Sequence, residues 1–379
     1  MHDYEVIIAG AGPSGCATAL HLSTLDPGLA GRVLLLDKAV FPRKKLCAGG
    51  VSADAETALR QLGINLDLPT VPVHTTKFVL PTGCLTFHQS VHFRVVRREQ
   101  FDHFLFRSAG ERGVVARDGE AVEDVVNTPN GVIVRTSKDE YRAKILVAAD
   151  GANGTLRARL GLSRAGRVMV AMELHAPRAD ASIKNFGDNT AIVDLSVLSQ
   201  GVPGYCWVFP TVGEGPAVVS MGLLASPSGG EGIAPLKDAF ARWLAGIGLD
   251  LTAFELQAHP ILRYEPKAAC STRRVLFVGD AAGVDPLFGE GISSALALGI
   301  LAAQSAVEAL RVGDFSFLDY GERVRLSDIG STMRRRRMIA RRLYSRPKLA
   351  RLFLRHGILI RGLALLRPPE VGAKLTWDG

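Results

Sequence analysis

Apolar runs and helical spacing alternate at the start of the chain. Residues 4–9, YEVIIA, form an apolar run with β-branched side chains, which predicts a buried strand. GAGPSG follows, and the next segment, CATALHLSTL, spaces Ala and Leu as a helix does. RVLLLD at 32–37 predicts a second buried strand that ends at Asp37. The three segments predict a βαβ unit of about thirty residues.

Strand-like and helix-like stretches interleave along the rest of the chain. We expect strands within 76–95, 114–149 and 166–224, and at 275–279. We expect helices at 98–113, 234–248 and 291–310, and helices in the remainder of the chain. This order is typical of a mixed α/β protein with an inserted antiparallel sheet.

Three glycines separate the first predicted strand from the first helix. Gly10, Gly12 and Gly15 have the spacing that allows a tight turn, a close approach of backbone to a pyrophosphate, and close packing of helix on strand. The N-terminus of the helix would face the phosphate charge. Asp37 is placed to accept hydrogen bonds from an adenosine ribose. The alternative is a purely structural turn, but the strand, the helix and the acid together favour a dinucleotide site.

A second glycine cluster lies near residue 280, in VGDAAGVDPLFGEGISS. Asp280 follows the apolar run VLFVG, and it is either a helix cap or a carboxylate that holds a second sugar-like chain, such as the ribitol of FAD. The turn FGEGI then opens a helix whose N–H groups would face the pyrimidine end of a flavin, where reduced flavin is negative. The βαβ unit alone leaves NAD and FAD open, and this second cluster favours FAD.

Six stretches resemble the geranylgeranyl reductase family, within the FAD-dependent oxidoreductases of the p-hydroxybenzoate hydroxylase type. The resemblance covers about residues 4–310, and the stretches are GAGPSG with LLLDK, PRKKLCAGGVS, REQFD, the Asp-Gly pair at 150–151, VGDAAGVDPLFGEGI, and YCWVFP at 205–210. YCWVFP is similar to the family's Tyr-x-Trp-x-Phe-Pro motif in the substrate sheet. The chain departs from the family at Ala48, where glycine is usual, and at Gly154, where serine is common.

The resemblance implies an α/β fold with a Rossmann-type FAD-binding domain, an interleaved antiparallel β-sheet substrate domain and a helical C-terminal segment. The expected boundaries are 1–75, 96–165 and 270–312 for the FAD-binding domain, 76–95 and 166–269 for the substrate domain, and 313–379 for the basic helical segment.

The resemblance and the motifs together give a set of candidate site residues, without identifying a catalytic residue. The cofactor-binding candidates are Gly10, Gly12, Pro13, Ser14, Gly15, Asp37, Lys38, Cys47, Ala48, Gly50, Arg98, Val122, Asp280, Pro286, Gly289, Gly291 and Ile292. The resemblance places Cys47 beside the isoalloxazine; the other interpretation of this thiol is a small buried hydrophobe.

The substrate-binding candidates are Tyr205, Trp207 and Phe209, which alternation directs to one face of a strand. They would form an aromatic wall for an apolar or aromatic substrate, or else an ordinary sheet core. The resemblance implies reduction of a C=C bond by hydride transfer from reduced FAD. A monooxygenase, either a hydroxylase or an epoxidase, or a dehydrogenase of specialised metabolism is the alternative, since the same cofactor cradle serves these reactions.

Related halogenases carry Trp-x-Trp-x-Ile-Pro where this chain has YCWVFP, which argues against halogenation. The sequence holds no second Gly-x-Gly-x-x-Gly for a permanently bound nicotinamide. We therefore expect NAD(P)H or a reduced protein as a transient electron donor. The substrate would arrive free, in a lipid or on a carrier protein.

Bulk composition fits this picture. The chain has 379 residues, 47% of them hydrophobic, which suffices for two domains. The N-terminus has no basic region before its first apolar strand, and no apolar run reaches 18 residues, so we predict neither a signal peptide nor a spanning helix. The five cysteines are scattered, which favours a reducing cytoplasm and indicates no metal site.

Positive charge is concentrated near the C-terminus. Residues 334–367 contain eleven arginines and one lysine without an acid, and without them the formal charge would fall from +8 to about −4. Apolar residues between the arginines would give a helix with a basic and an apolar face, which suits peripheral contact with an anionic inner membrane surface. A helix packed on the FAD domain and an arm for an acidic carrier protein are the alternatives. Nucleic acid is not expected, because no aromatic stacking platform accompanies the arginines.

Overall fold

The computed structural model describes residues 2–177, 187, 189–213, 218–227, 233–345 and 374–378. Its strands are β1 His2–Ala9, β2 Val33–Leu36, β3 Gly50–Ser52, β4 Val71–Leu80, β5 Gly83–Val95, β6 Val115–Arg117, β7 Val122–Thr128, β8 Gly131–Thr136, β9 Glu140–Ala148, β10 Val168–Pro177, β11 Thr190–Asp194, β12 Gly204–Pro210, β13 Val218–Ala225, β14 Gln257–Leu262, β15 Ser271–Thr272, β16 Val275–Phe277 and β17 Lys374–Asp378. Its helices are α1 Pro13–Leu25, α2 Ala53–Gln61, α3 Arg98–Glu111, α4 Leu156–Arg159, α5 Ala234–Gly246, α6 Gly291–Val312, α7 Tyr320–Leu326 and α8 Asp328–Ser345.

The first sheet is a parallel sheet extended by antiparallel strands. Its path runs β15-β16-β9-β1-β2-β6, with β7 and β8 attached beside β9. β1 lies between β2 and β9 and is parallel to both, and β16 is parallel to β9. Because parallel strands end at the same edge, the carboxyl ends of β1 and β16 lie near each other although about 270 residues separate them.

The second sheet is mostly antiparallel and is the inserted sheet expected from the sequence. Its path runs β14-β10-β13-β12-β11-β4-β5-β17, with β3 paired to β5. One face packs under α5, where Met172, Leu174, Met221 and Phe240 belong to the same buried cluster. The alternate residues of β10, β12 and β13 face the other way, so side-chain alternation assigns one face to the core and the other to a cavity.

Helices α1 and α6 cover the first sheet and touch each other closely. A Cβ at Gly299 of α6 would overlap the backbone oxygen of Ser14, so this position requires glycine for the contact. By length and composition, α6 could also cross a membrane, but 56% of its most apolar window is buried against the rest of the protein. This apolar helix is part of the protein core.

Some elements differ from the sequence predictions. Helices were expected throughout the remainder of the chain, and this is wrong at Lys374–Asp378, which pairs with β5 as an antiparallel strand because an open sheet edge satisfies its backbone. The short helix α2 and the strand β14 were not foreseen. β4 begins at Val71, within the range assigned to the FAD-binding domain, and the domain boundaries themselves stay predictions.

Candidate functional site

The three motif glycines, two in the loop between β1 and α1 and one in the first turn of α1, have different surroundings. Gly10 has φ of +110°, and a Cβ there would overlap the carbonyl of Ala149. A Cβ on Gly15 would overlap the carbonyl of Gly10. Gly12 is open: its nearest neighbour would be a terminal nitrogen of Arg43 at 3.7 Å. The structure therefore needs Gly10 and Gly15 for packing, whereas the half-buried Gly12 has free space beside it where a ligand can approach the first turn of α1.

Asp37 organises this loop from the end of β2. Its Oδ2 accepts the N–H of Ala11 at 2.9 Å, and its Oδ1 accepts the N–H of Ala39 at 2.9 Å. The carboxylate is thus held beside the glycine loop, at the position expected for a ribose partner. Contact with a ribose stays a prediction.

The second glycine cluster meets the first at the sheet edge. Gly279 has φ of +59°, and a Cβ there would come within 2.5 Å of the Ser14 hydroxyl oxygen. Asp280 follows it, and a Cβ on Gly291 would lie 3.8 Å from the Asp280 carboxylate. The two distant strand ends named in the sequence therefore converge on one place. Burial raises the pKa of Asp280, and the positive charges of Lys45 and Arg98 oppose that rise.

The loop at 45–50 runs beside Arg98. Arg98 forms a bidentate ion pair with Asp102, with N–O distances of 2.8 and 2.9 Å. Asp102 forms a second ion pair, in which its Oδ2 lies 3.0 Å from the Arg43 Nη2. Burial works against the charge of Arg98, but Asp102 and then the Cys47 thiol raise its pKa. Arg98 is thereby fixed as a cation beside Cys47, which is half-buried.

Gly49 packs this loop against the backbone of Val96. It has φ of +77°, its carbonyl accepts the N–H of Val96 at 3.0 Å, and a Cβ would overlap the Val96 carbonyl. The neighbouring position, Ala48, where the family usually has glycine, carries its methyl group into the cavity wall.

Lys45 and His259 form a contact between the two halves of the molecule. The Lys45 Nζ lies 2.8 Å from the His259 Nε2. Burial, then Lys45 and Arg98, lower the pKa of His259 to about 4. Burial and the neighbouring Arg98 also lower the pKa of Lys45. His259 is therefore neutral at pH 7, and its Nε2 accepts a hydrogen bond from the Lys45 ammonium.

The Asp-Gly motif explains one departure from the family. The Asp150 Oδ2 accepts the N–H of Leu156 at 3.0 Å, and a Cβ on Gly154 would overlap the Asp150 carboxylate. A serine at Gly154 therefore has no room in this conformation.

The turn before α6 is held by helix α8. Arg336 of α8 contacts Glu290 at 2.6 Å and Asp285 at 2.8 Å through its Nη1. The Tyr344 hydroxyl donates to the carbonyl of Leu287 at 2.7 Å. Part of the basic run at 334–337 thus binds the turn before α6, which the sequence predicts to face a flavin. The predicted basic amphipathic helix continues into residues 346–373, which lie outside the described residues.

An apolar cavity of about 490 Å³ lies between the two halves. The loop at 47–50 and the turn at 288–292 line it on one side. Tyr205, Trp207 and Phe209 line it from the second sheet, as alternation predicts. The Tyr205 hydroxyl donates to the carbonyl of Phe288 at 2.6 Å, so this ring joins the substrate sheet to the turn. Such a concave, mostly apolar site is typical of a small-molecule pocket. Substrate binding by the three aromatic residues stays a prediction.

The remaining predicted cofactor residues occupy varied positions. Pro13 and Ser14 are buried in the first turn of α1, and Pro286 is buried in the turn before α6. Lys38 is exposed after β2, and Val122 begins β7 at the rim of the first sheet's core. Gly50, Gly289 and Ile292 line the cavity.

Several residues at the site were not predicted. Lys45 lies in PRKKLCAGGVS, but the sequence predicted no role for it. Asp102 lies in REQFD, where only Arg98 was predicted to bind the cofactor. Glu173 and Arg336 have no local motif. A charged residue within an otherwise apolar strand, VMVAMEL, was the available signal for Glu173.

The geometry fits FAD from end to end. Gly12 leaves the N-terminus of α1 open, Asp37 lies beside it, and Asp280 stands at the adjoining strand end with Arg98 near it. Helix α6 begins at Gly291, beside the cavity, so its dipole is directed at the place where a flavin ring would border the substrate.

Comparison with known proteins agrees with this geometry. The family model described as FAD binding domain matches residues 3–311. A digeranylgeranylglycerophospholipid reductase 1 of Methanopyrus kandleri is 30% identical over 332 residues, covering 83% of this chain and 83% of that protein.

Two solved structures share the fold. A geranylgeranyl bacteriochlorophyll reductase-like protein of Thermoplasma acidophilum has a TM-score of 0.72 at 21% identity, covering 93% of this chain and 88% of that one. A flavin-dependent brominase has a TM-score of 0.71 at 21% identity, covering 96% of this chain and 93% of that one. The chain belongs to the FAD binding domain family and, within it, to the geranylgeranyl reductase family of FAD-dependent oxidoreductases.

Proposed function

We propose that this protein reduces C=C bonds of an apolar, unsaturated, prenyl-like substrate. The observation that carries the proposal is the cavity: aromatic and aliphatic side chains of the second sheet face the flavin-side turn at 288–292 across a space of about 490 Å³. An unsaturated hydrocarbon segment gains free energy by leaving water for such a space. The name of the Methanopyrus kandleri relative, which refers to geranylgeranyl chains, supports the same substrate class.

Bound FAD supplies the two-electron chemistry. The residues of this protein shape the cavity beside the cofactor and exclude water from it. The Tyr205 hydroxyl joins the second sheet to the turn, and Trp207, Phe209 and Ile292 line the cavity. Excluding water protects a hydride donor from side reactions.

The electron donor in this proposal binds transiently. The sequence has one Gly-x-Gly-x-x-Gly, and that motif forms the ADP end of the FAD site. NAD(P)H or a reduced electron-transfer protein therefore delivers electrons without a nucleotide fold of its own in this chain. Flavin reduction by NADH, NADPH and a reduced ferredoxin, compared under anaerobic conditions, identifies the class of donor.

The testing experiment compares two oxidants of the reduced flavin. The purified holoenzyme is reduced anaerobically and mixed either with a geranylgeranyl lipid in detergent or with oxygen alone. The proposal predicts anaerobic reoxidation by the lipid with one saturated bond per flavin, and with oxygen a direct return to oxidised flavin. A long-lived flavin hydroperoxide spectrum with oxygen, together with no reaction with the lipid, would establish a monooxygenase instead.

A further inference from the structure

Glu173 is a carboxylic acid buried in the sheet wall of the cavity. Only 1% of the residue is exposed, and it lines the cavity among apolar neighbours. It lies on β10 opposite Gly222 of β13, which in turn lies opposite Trp207 of β12. A Cβ on Gly222 would overlap the Trp207 indole, so the glycine lets that ring lie flat over the strand toward Glu173.

A directed hydrogen-bond chain ends on this carboxyl group. The Trp207 indole N–H donates to the Ser220 hydroxyl at 3.1 Å, and that hydroxyl donates to Glu173 Oε1 at 2.7 Å. Among the described residues, Ser220 is the one that donates a hydrogen bond to Glu173. Since an indole nitrogen can only donate, the Ser220 oxygen is the acceptor in its bond with Trp207, and the Ser220 proton is free to be donated to Oε1. This arrangement leaves Oε2 as the oxygen on which Glu173 would carry its acid proton.

The charged groups around Glu173 do not offset the effect of burial on its carboxyl group. On its own strand, the His175 Nε2 lies 3.6 Å from Oε1, and burial followed by the Arg97 charge lowers the pKa of that histidine. From α3, Arg98 favours the ionised form, but burial has the larger effect and raises the pKa of Glu173 to about 7. On the other neighbouring strand, β14, the residue opposite is the uncharged Gln257. Glu173 thus gains and loses its proton near neutral pH.

We propose that Glu173 is the acid that protonates the substrate during reduction, an assignment that rests on the proposed function. Bound reduced FAD would supply a hydride, whose two electrons would form a C–H bond at one alkene carbon as the π bond breaks. The O–H bond of Glu173 breaks, and its proton forms the second C–H bond at the adjacent carbon. The alkene is reduced, the flavin is oxidised, and the carboxylate regains a proton from water.

The other proton donors of the cavity wall are less suited. The Tyr205 hydroxyl is occupied with the Phe288 carbonyl, and burial raises its pKa well above the usual range. Glu290 is paired with Arg336, which lowers the pKa of that carboxyl group against the effect of burial. His259 is neutral beside Lys45. A carboxyl group with a pKa near the working pH is a better general acid than any of these.

The test compares the holoenzyme with its Glu173→Gln and Glu255→Gln variants. Glutamine keeps the acceptor for Ser220 but has no acid proton. Glu255 is exposed, lies just before β14 in the same half of the protein, and provides a matched control. Each protein is reduced anaerobically and mixed with a geranylgeranyl lipid from pH 5.5 to 9, and the rate of flavin reoxidation is recorded.

We expect the wild-type and E255Q rates to be constant at low pH and to fall about tenfold per pH unit above about 7, because the acid form is required. E173Q should react about 10²–10⁴-fold more slowly, with no fall above pH 7. A second readout needs no turnover: the infrared band of a protonated carboxyl group in the oxidised protein should disappear between pH 6 and 8 in the wild type and be missing from E173Q. FAD content should be the same in all three proteins.

The outcomes separate the two proposals. If the lipid oxidises the wild type and E173Q at equal rates with the same pH profile, the role of Glu173 is wrong and the reductase stands. If the infrared band does not titrate, or persists in E173Q, the assignment also fails. If the lipid does not oxidise the wild type, the proposed function fails, and the assignment fails with it because Glu173 then has no alkene to protonate.

Discussion

Replacing Arg336 with methionine removes the cation that binds Asp285 and Glu290 in the turn before α6. Its Nη1 lies 2.6 Å from Glu290 and 2.8 Å from Asp285, and the side chains of Arg336 and Asp285 are only 18% and 2% exposed. Methionine fills a similar volume, so the change leaves the buried Asp285 and the partly buried Glu290 without this cation rather than leaving a large cavity.

The size of the effect follows from that burial. Removing one partner of a buried ion pair costs about 3–5 kcal/mol, because the remaining charge is left desolvated. An unfolding entropy of about 2.1 cal/mol/K per residue over 379 residues gives about 0.8 kcal/mol/K. The Tm of R336M should therefore fall by about 4–6 °C at pH 8. FAD should also be lost more readily, since the turn borders the cavity.

The assay is thermal unfolding of the FAD-saturated protein, followed by circular dichroism and by release of flavin fluorescence. Arg335→Met is the matched control: Arg335 is the exposed neighbour in the same helix, and its effect should stay within about 1 °C. Adding Asp285→Asn and Glu290→Gln to R336M should restore at least half of the lost Tm, because the unpaired charges are then gone.

The pH dependence has a defined sign. Arg336 lowers the pKa of Glu290, so this pairing contributes stability above the usual glutamate range and loses it as pH falls. Burial already raises the pKa of Asp285 despite Arg336, so that carboxyl group should take up a proton at still higher pH in R336M. The Tm difference between R336M and wild type should narrow from pH 8 to pH 5. Equal effects of R336M and R335M, or a difference independent of pH, would refute the buried-pair explanation.

Three further predictions concern the cofactor loop and the cavity. Gly12→Ala should fold normally but bind FAD at least tenfold more weakly, whereas Gly15→Ala should lower the Tm because its Cβ meets backbone; flavin titration and calorimetry separate the two. Lys45→Met should raise the pKa of His259 from about 4 toward its usual value, measurable by NMR titration of the ring. Gly222→Ala should displace the indole beneath which it lies, costing about 1–3 kcal/mol of stability in denaturant titrations.

Local patterns predicted the parts of the fold that short-range physics determines. The apolar run, the glycine spacing and the terminal acid gave the βαβ unit, and β1, α1 and β2 confirm it. The predictions of a strand before Asp280 and a helix after it are also confirmed. Both depend on local signals, the spacing of apolar residues and a Gly-rich turn. Alternation alone placed Tyr205, Trp207 and Phe209 on one face of β12.

Contacts between distant segments could not be predicted in the same way. Lys45 and His259 are 214 positions apart, and neither has a local pattern that names the other. Arg336 belongs to a basic run whose composition indicated a solvated or membrane-facing surface, but its charge is buried against Glu290. The close packing at Gly154 depends on where the Asp150 side chain points, which the motif does not encode.

The cavity wall holds two carboxyl groups that the fold drives toward opposite protonation states. Glu290 begins the turn into α6 and has a cation from α8, so the pKa of this carboxyl group is lowered although it is buried. Burial has the largest effect on Glu173, and it raises the pKa of this carboxyl group to about 7 against the opposing charge of Arg98. Pairs of acids separated in this way divide structural and proton-transfer roles between them. Glu290 can fix the turn before α6 because it stays charged, and Glu173 can exchange a proton because burial outweighs the Ser220 hydrogen bond and the Arg98 charge, which favour its ionised form.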